Sequence, residues 1–300
     1  MKMKSSLYKC VVLLLSTGFL GMPQIGQGQI DTAVEQLNEQ NAKSYVQPLI
    51  TALGNVLNAG WYRSATIPRA GLHFYVGLVG MANFVLDKDR TFWAIPPPPF
   101  LPTPVKTATA LGDEGTEIRT KREHLKFPDG LNTTKVFPMI APQVEIGAIL
   151  GTVISARYFT AESEDGYVPE FSLWGLGVRH SLSQYFFLCP FNLTASVFYQ
   201  QFKMEDILLV KTISFGIQAS KSFALLDVYG GVLLENSHAD VNYFYVYRGS
   251  SCPISFSLKG RDKHKITAGV AFKLAGLILL NADYSLGTRN VATLGIGLGL

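Results

Sequence analysis

Charge is scarce in this chain, and so is any long greasy run. Charged residues make up 16% of the 300. After residue 28 no uninterrupted apolar stretch reaches the roughly 20 residues that a spanning helix needs. The closest, residues 266–280, is broken by Lys273 and Gly276. Transmembrane helices are therefore not expected. Cysteine is rare too. Cys10 lies in the leader described below, and Cys189 and Cys252 remain. Those two could form one bridge in an oxidising compartment, or stand apart as small apolar residues. No H-E-x-x-H, G-x-S-x-G or C-x-x-C occurs, and His73, His124, His180, His238 and His264 lack ligand spacing. No catalytic, cofactor-binding or metal-ligating residue is assigned. The expectation is a protein that is not an enzyme and has no cofactor.

The start of the chain reads as a secretory signal peptide over residues 1–28. Lys2, Lys4 and Lys9 give the positive start, residues 10–20 the apolar run, and Gly26 and Gly28 the small residues before a cut at Gln29. The alternative is an uncleaved anchor, for which the run is short. No cysteine follows at a lipoprotein-type cut, so no lipid anchor is expected. The whole chain carries +4, and loss of the three leader lysines leaves it near +1. That gives no basis for a nucleic-acid partner.

Residues 29–69 form an N-terminal helical segment. Val46, Leu49, Ile50, Leu53, Val56 and Leu57 make one apolar stripe at helical spacing. Gly54 weakens the helix, and Gly60 lies just past its end. The stripe fits a cap on a barrel end or a plug inside a lumen, and spacing does not separate the two.

Residues 70–300 read as an antiparallel transmembrane β-barrel, an all-β fold. In the last strand Ala292, Leu294, Ile296 and Leu298 alternate with Val291, Thr293, Gly295, Gly297 and Gly299. A strand with one greasy face and one small or polar face suits lipid outside and water or packed polar groups inside. Upstream, Trp174, Leu176 and Val178 alternate with Gly175, Gly177 and Arg179, and Val144 and Ile146 with Glu145 and Gly147. About 12 strands are expected, within a range of 10–14; an even number suits a bacterial barrel. A secreted β-sandwich also alternates, but its outer faces need not be so uniformly apolar. The proline cluster Pro96 to Pro99, with Pro102 and Pro104, cannot join a sheet interior. Residues 96–142 are read as a long irregular insertion.

Strand parity places Glu145, Arg157, Arg179, Asp227, Glu235, Lys265, Lys273 and Asp283 on the inner face. Charges persist there only if paired or hydrated. They fit a salt-bridged lumen, a polar permeation path or, least of all, a paired-carboxylate site. Gly295, Gly297 and Gly299 superficially match a nucleotide loop, but no helix follows to hold a phosphate. Counting strands back from the C-terminus puts Cys189 and Cys252 on the same side of the membrane.

Five stretches resemble a family of uncharacterised Gram-negative proteins, a domain of unknown function regarded as barrel-like. They are residues 57–65 (LNAGWYRSA), 84–92 (FVLDKDRTF), 141–147 (APQVEIG), 173–180 (LWGLGVRH), and the region from 282–285 (ADYS) to Gly297. The resemblance implies a barrel and brings no catalytic residue. A helix ahead of a barrel is also similar in architecture to long-chain fatty-acid transporters. The reading is an outer-membrane barrel that passes or binds small apolar molecules, gated by the helix or the insertion, with the lipid bilayer as its surroundings. The alternatives are a structural or binding barrel with a filled lumen, and a soluble secreted β-protein that binds a partner.

Overall fold

The structure is a computed structural model that describes residues 37–71, 73–121, 123–131, 134–161, 170–186, 189–247, 250–274 and 276–299. The expected leader lies outside the described residues. Among the described residues one α-helix, α1 (Glu39–Leu57), precedes the strands. Asn38 caps it by accepting from the Asn41 backbone N–H at 3.0 Å. The strands are β1 (His73–Phe84), β2 (Thr91–Ala94), β3 (Val105–Ala108), β4 (Glu117–Arg119), β5 (His124–Lys126), β6 (Val136–Ile149), β7 (Thr152–Ala161), β8 (Phe171–Ser181), β9 (Asn192–Met204), β10 (Leu208–Phe223), β11 (Leu226–Tyr247), β12 (Ser250–Lys259), β13 (His264–Leu274), β14 (Ile278–Leu286) and β15 (Val291–Gly299).

Ten of these close into an antiparallel barrel in the order β1, β6, β7, β8, β9, β10, β11, β13, β14, β15, and β15 returns to β1. β12 is an eleventh strand that pairs with the upper part of β11 alone. The expected count of about 12 is thus corrected to ten barrel strands plus one. Hairpin β2–β3 and hairpin β4–β5 stand apart from the barrel sheet.

The insertion also differs from expectation. Residues 105–126 contain three short strands, and the barrel resumes at Val136, before Pro138 and Pro142. Both prolines lie inside β6. Residues 136–142 pair with β1 on one flank, and pairing with β7 begins only at Gln143. A proline lacking its N–H is tolerated on the flank that has no partner.

The two ends of the barrel differ. At the turn end, two residues join β6 to β7 and two join β10 to β11, and β15 finishes there. At the loop end lie the 85–135 insertion, β12 and the upper part of β11. Three long strands, β9, β10 and β11, reverse polarity along their length. In its lower part β11 points Val228, Val232 and Leu234 outward, and Tyr229 and Glu235 inward. Higher up, its outer residues are Asn236, His238, Asp240 and Asn242, and its inner ones are Ala239, Val241 and Tyr243. The same reversal occurs on β10 at Lys211 and on β9 at Gln201 and Lys203. The lower part is greasy outside and polar inside. The upper part is the opposite, as in a water-soluble protein.

The upper part is a head built around α1. Tyr45, Ile50, Ala52 and Val56 are fully buried, packed with Phe137 and Met139 of β6, Phe202 of β9, Val210 of β10 and Val241 of β11. Gly54 sits so close to β11 that an added Cβ would meet the Ser237 side chain at 2.5 Å. The helix therefore needs glycine there despite its poor propensity.

Candidate functional site

At the level of the apolar band, the lumen is filled by the protein's own chain. The base of α1 sits near Asn83 and Asp262, where Asn55 donates to both at 2.9 and 2.7 Å. From there residues 58–66 descend through the barrel. Arg69 accepts from the Gly151 backbone N–H at the turn end, and β1 then starts back up. The chain thus runs through its own barrel from the loop end to the turn end. Gly60, with φ +67°, makes the bend, and a Cβ there would strike Val79 and Thr293.

Trp61 fills the middle. It is wholly buried, stacks on Phe198 of β9 at 4.9 Å, and lies 4.1 Å beneath the Arg157 guanidinium. Its other neighbours are the bare backbones of Gly175 and Gly177 on β8, where a Cβ would come within 3.1 and 3.3 Å of the indole. Its Nε1 donates to the Leu57 carbonyl at 3.1 Å, which also accepts from Gln200 and, at 3.5 Å, from Arg157.

Below it lies a charge cluster centred on Glu145 of β6. Arg63 donates to both carboxylate oxygens at 3.0 and 2.9 Å, Arg179 of β8 donates at 2.7 Å, and Gln143 at 2.7 Å. Arg179 also donates to the Ser64 carbonyl at 2.7 Å, and Arg157 donates to Gln143 and to the Ala59 carbonyl. The Arg63 guanidinium lies 3.4 Å over the Tyr75 ring. Buried charges cost stability unless their partners and remaining donors are satisfied, and here the partners come from the wall and from the thread together. Near the turn end, Ser220 anchors the thread by accepting from it: the Ala65 N–H donates to Ser220 Oγ at 2.9 Å.

Three further ion pairs brace the base of α1. Lys265 meets Glu235 at 2.9 Å and donates to the Asn55 carbonyl at 3.1 Å. Arg289 donates to both oxygens of Asp89 at 2.7 and 2.6 Å and to Asp262 at 2.7 Å. Asp283 is held by the Tyr229 hydroxyl at 2.8 Å.

Of the eight residues placed inward by parity, Glu145, Arg157 and Arg179 meet in one cluster, and Glu235 pairs with Lys265. Asp283 stands on the opposite wall. Asp227 is half-buried and Lys273 exposed, both at the turn end. Parity missed Arg63 and Gln143, which complete the cluster, and Arg289 with its two aspartates. The signal for Arg63 was its place in the 57–65 stretch. That stretch docks on the 141–147 and 173–180 stretches, through Glu145, Arg179, Gly175 and Gly177.

The expectation that Cys189 and Cys252 share a side is corrected. Cys189 lies in the β8–β9 connection at the turn end and Cys252 on β12 at the loop end, and both are free. β11 runs unbroken from Leu226 to Tyr247, so three strands, β9, β10 and β11, an odd number, separate the two cysteines.

Comparison with known proteins adds the following. The solved structures similar to this chain include the outer membrane protease OmpT from Escherichia coli, at 7% identity and a TM-score of 0.35, covering 78% of this chain and 96% of that one. The attachment invasion locus protein Ail of Yersinia pestis, in complex with a heparin analogue, matches at 12% identity and 0.25, covering 76% and 96%. The toluene transporter TbuX of Ralstonia pickettii matches at 8% and 0.22, covering 86% and 92%. A search of curated proteins found no match. The expectation that the protein is not an enzyme is withdrawn, because a protease is among the barrels it resembles; at 7% identity no activity passes from that protease to this chain. A family model described as "Family of unknown function (DUF6588)" matches residues 3–300, and the chain belongs to that family.

Proposed function

We propose that this protein is an outer-membrane barrel closed at rest by its own N-terminal segment, with a packed head held outside the bilayer. The observation that carries this reading is the run of residues 58–66 through the lumen at the level of the apolar band. The band itself supports the membrane placement: Val76, Ile146, Leu176, Phe215, Val232 and Ile296 all point outward and are exposed. Tyr158, Trp174 and Tyr199 stand side by side on β7, β8 and β9 at its upper edge, with Trp174 and Tyr199 rings 5.3 Å apart, as an interfacial girdle does. Short turns face the periplasm in bacterial barrels, so the head faces outward from the cell. The leader expected over residues 1–28 supplies the export that this location requires.

In this reading the inward charges hold the thread and do not line a water-filled path. The barrel is then a binding or structural element whose working surface is the head. A gated path for small apolar molecules is the second reading. It is favoured by the way the thread is held, through side chains and ion pairs with no strand pairing, so that its packing in the lumen can loosen without breaking the barrel ladder.

Two measurements test the proposal. The protein should sediment with outer membranes and resist extraction by high salt; recovery as a detergent-free soluble monomer would sink the barrel reading. In planar bilayers the wild-type protein should be non-conducting, and a stable open pore in the wild type would overturn the closed reading.

A further inference from the structure

The three shortest connections at the turn end each carry a leucine. Leu150 opens the β6–β7 turn, Leu225 closes the β10–β11 turn, and Leu277 precedes β14. They are 73%, 61% and 46% exposed. Tight hairpins that face water favour Asn, Asp and Gly, because their central positions need positive φ. Here Leu150 and Ala224 both have φ 51°, a region where an L side chain is strained. Two hairpins thus keep apolar residues where Asn or Gly would be relaxed and better hydrated. Strain retained together with an exposed apolar side chain points to a use for that side chain.

A second observation agrees. Lys221 lies on the outer face of β10, four residues before Leu225. Its ammonium sits 5.9 Å from the ring centre of Phe223, one outer-face position nearer the turn. The side chain therefore reaches toward the turn end, as a lysine does when it extends from apolar depth toward headgroups. The tips are also continuous with the apolar band through Ile149 and Phe223, which are 76% and 54% exposed.

We infer that the turn-end rim is immersed in the interfacial region of the phospholipid leaflet it faces, with Leu150, Leu225 and Leu277 below the phosphates and the Lys221 ammonium among them. The barrel then does not project into water on that side. The inference rests on the membrane reading above.

The test uses nitroxide labels on single cysteines, with Cys10, Cys189 and Cys252 replaced by serine. The sites are Leu150→Cys, Leu225→Cys, Ile296→Cys in mid-band and Leu101→Cys in the head. The protein is reconstituted into phospholipid vesicles, and collisions with oxygen, enriched in lipid, are compared with those of a water-soluble nickel complex. The inference expects an oxygen-to-nickel ratio several-fold higher at 150, 225 and 296 than at 101. If 296 is lipid-like while 150 and 225 match 101, the rim stands in water; the inference fails and the membrane reading survives. If 296 also matches 101, the membrane reading itself fails. Rim sites reached by neither agent would be covered by protein, and the inference would again be wrong.

Discussion

Arg63 meets Glu145 with both terminal nitrogens, at 3.0 and 2.9 Å. The arginine belongs to a segment outside every strand, and the glutamate to the barrel wall. This bidentate contact fixes the thread in the lumen and orients the rest of the charge cluster around it.

The two ends of that contact are not equivalent. Removing Glu145 leaves Arg63 and Arg179 buried without a counter-charge, whereas removing Arg63 leaves Glu145 still bonded to Arg179. Glu145→Ala should cost about 3–5 kcal/mol or block assembly, and Arg63→Ala distinctly less. Urea unfolding of detergent-solubilised protein gives the order, and a larger cost at Arg63 would contradict the assignment.

Trp61→Ala should both destabilise and open the barrel. Truncating a buried tryptophan costs about 3–5 kcal/mol, and the space left lies along the lumen axis. Single-channel recordings should show intermittent conductance absent from the wild type. A folded variant that stays silent would mean that the remaining thread seals the lumen without the indole.

Gly54→Val should push α1 off β11, because even a Cβ meets Ser237 at 2.5 Å. Overpacking of this kind costs about 1–3 kcal/mol. Shortening the opposing side chain by Ser237→Gly should restore much of the loss in the double variant. Thermal melting of the four-member cycle measures the coupling, and strict additivity would place the two residues apart.

Leu176→Arg, on the lipid face, should cost about 2–4 kcal/mol. Gln218→Arg should be no milder. Gln218 is buried on the inner wall, accepting from Thr194 and donating to Ser196, so a new charge there is desolvated. Folding yields into vesicles compare the two.

Cys189 and Cys252 should label from opposite faces. A membrane-impermeant thiol reagent added to intact cells should reach Cys252 and spare Cys189. Labelling of both from outside would invert the strand count between them.

The alternation that marks a lipid-facing strand is plain in β15, where every second residue from Ala292 to Leu298 faces out. It was misleading in β11. Its apolar face is the outer one up to Leu234 and the inner one from Ala239, so a single strand has two phases and reads as two. In the membrane placement proposed above, the height at which the phase changes is where lipid would give way to water, which alternation records only when the strand is known to be continuous. Parity likewise identified which charges face inward but not how high they sit, which is why Asp227 and Lys273 were grouped with Glu145. Residues 58–66 have no period at all, so nothing local could place Arg63 or Trp61. The glycines opposite them on β8 were legible as an inner face, but not as the seat of an indole.

The thread also gives the molecule the topology of a bead on a ring. β1 and β15 join along nine residue pairs, from Tyr75↔Gly299 to Asn83↔Val291, and that seam is the last that the order of the chain allows to close. α1, about 10–12 Å across with its side chains, sits on the far side of the ring from the strand that leads out of it. Closure of the seam around residues 58–66 therefore traps the helix. Once assembled, the protein can release it only by unwinding the helix or by parting the nine pairs, so resistance to unfolding is set by a rate of unlacing as much as by the contacts within the lumen.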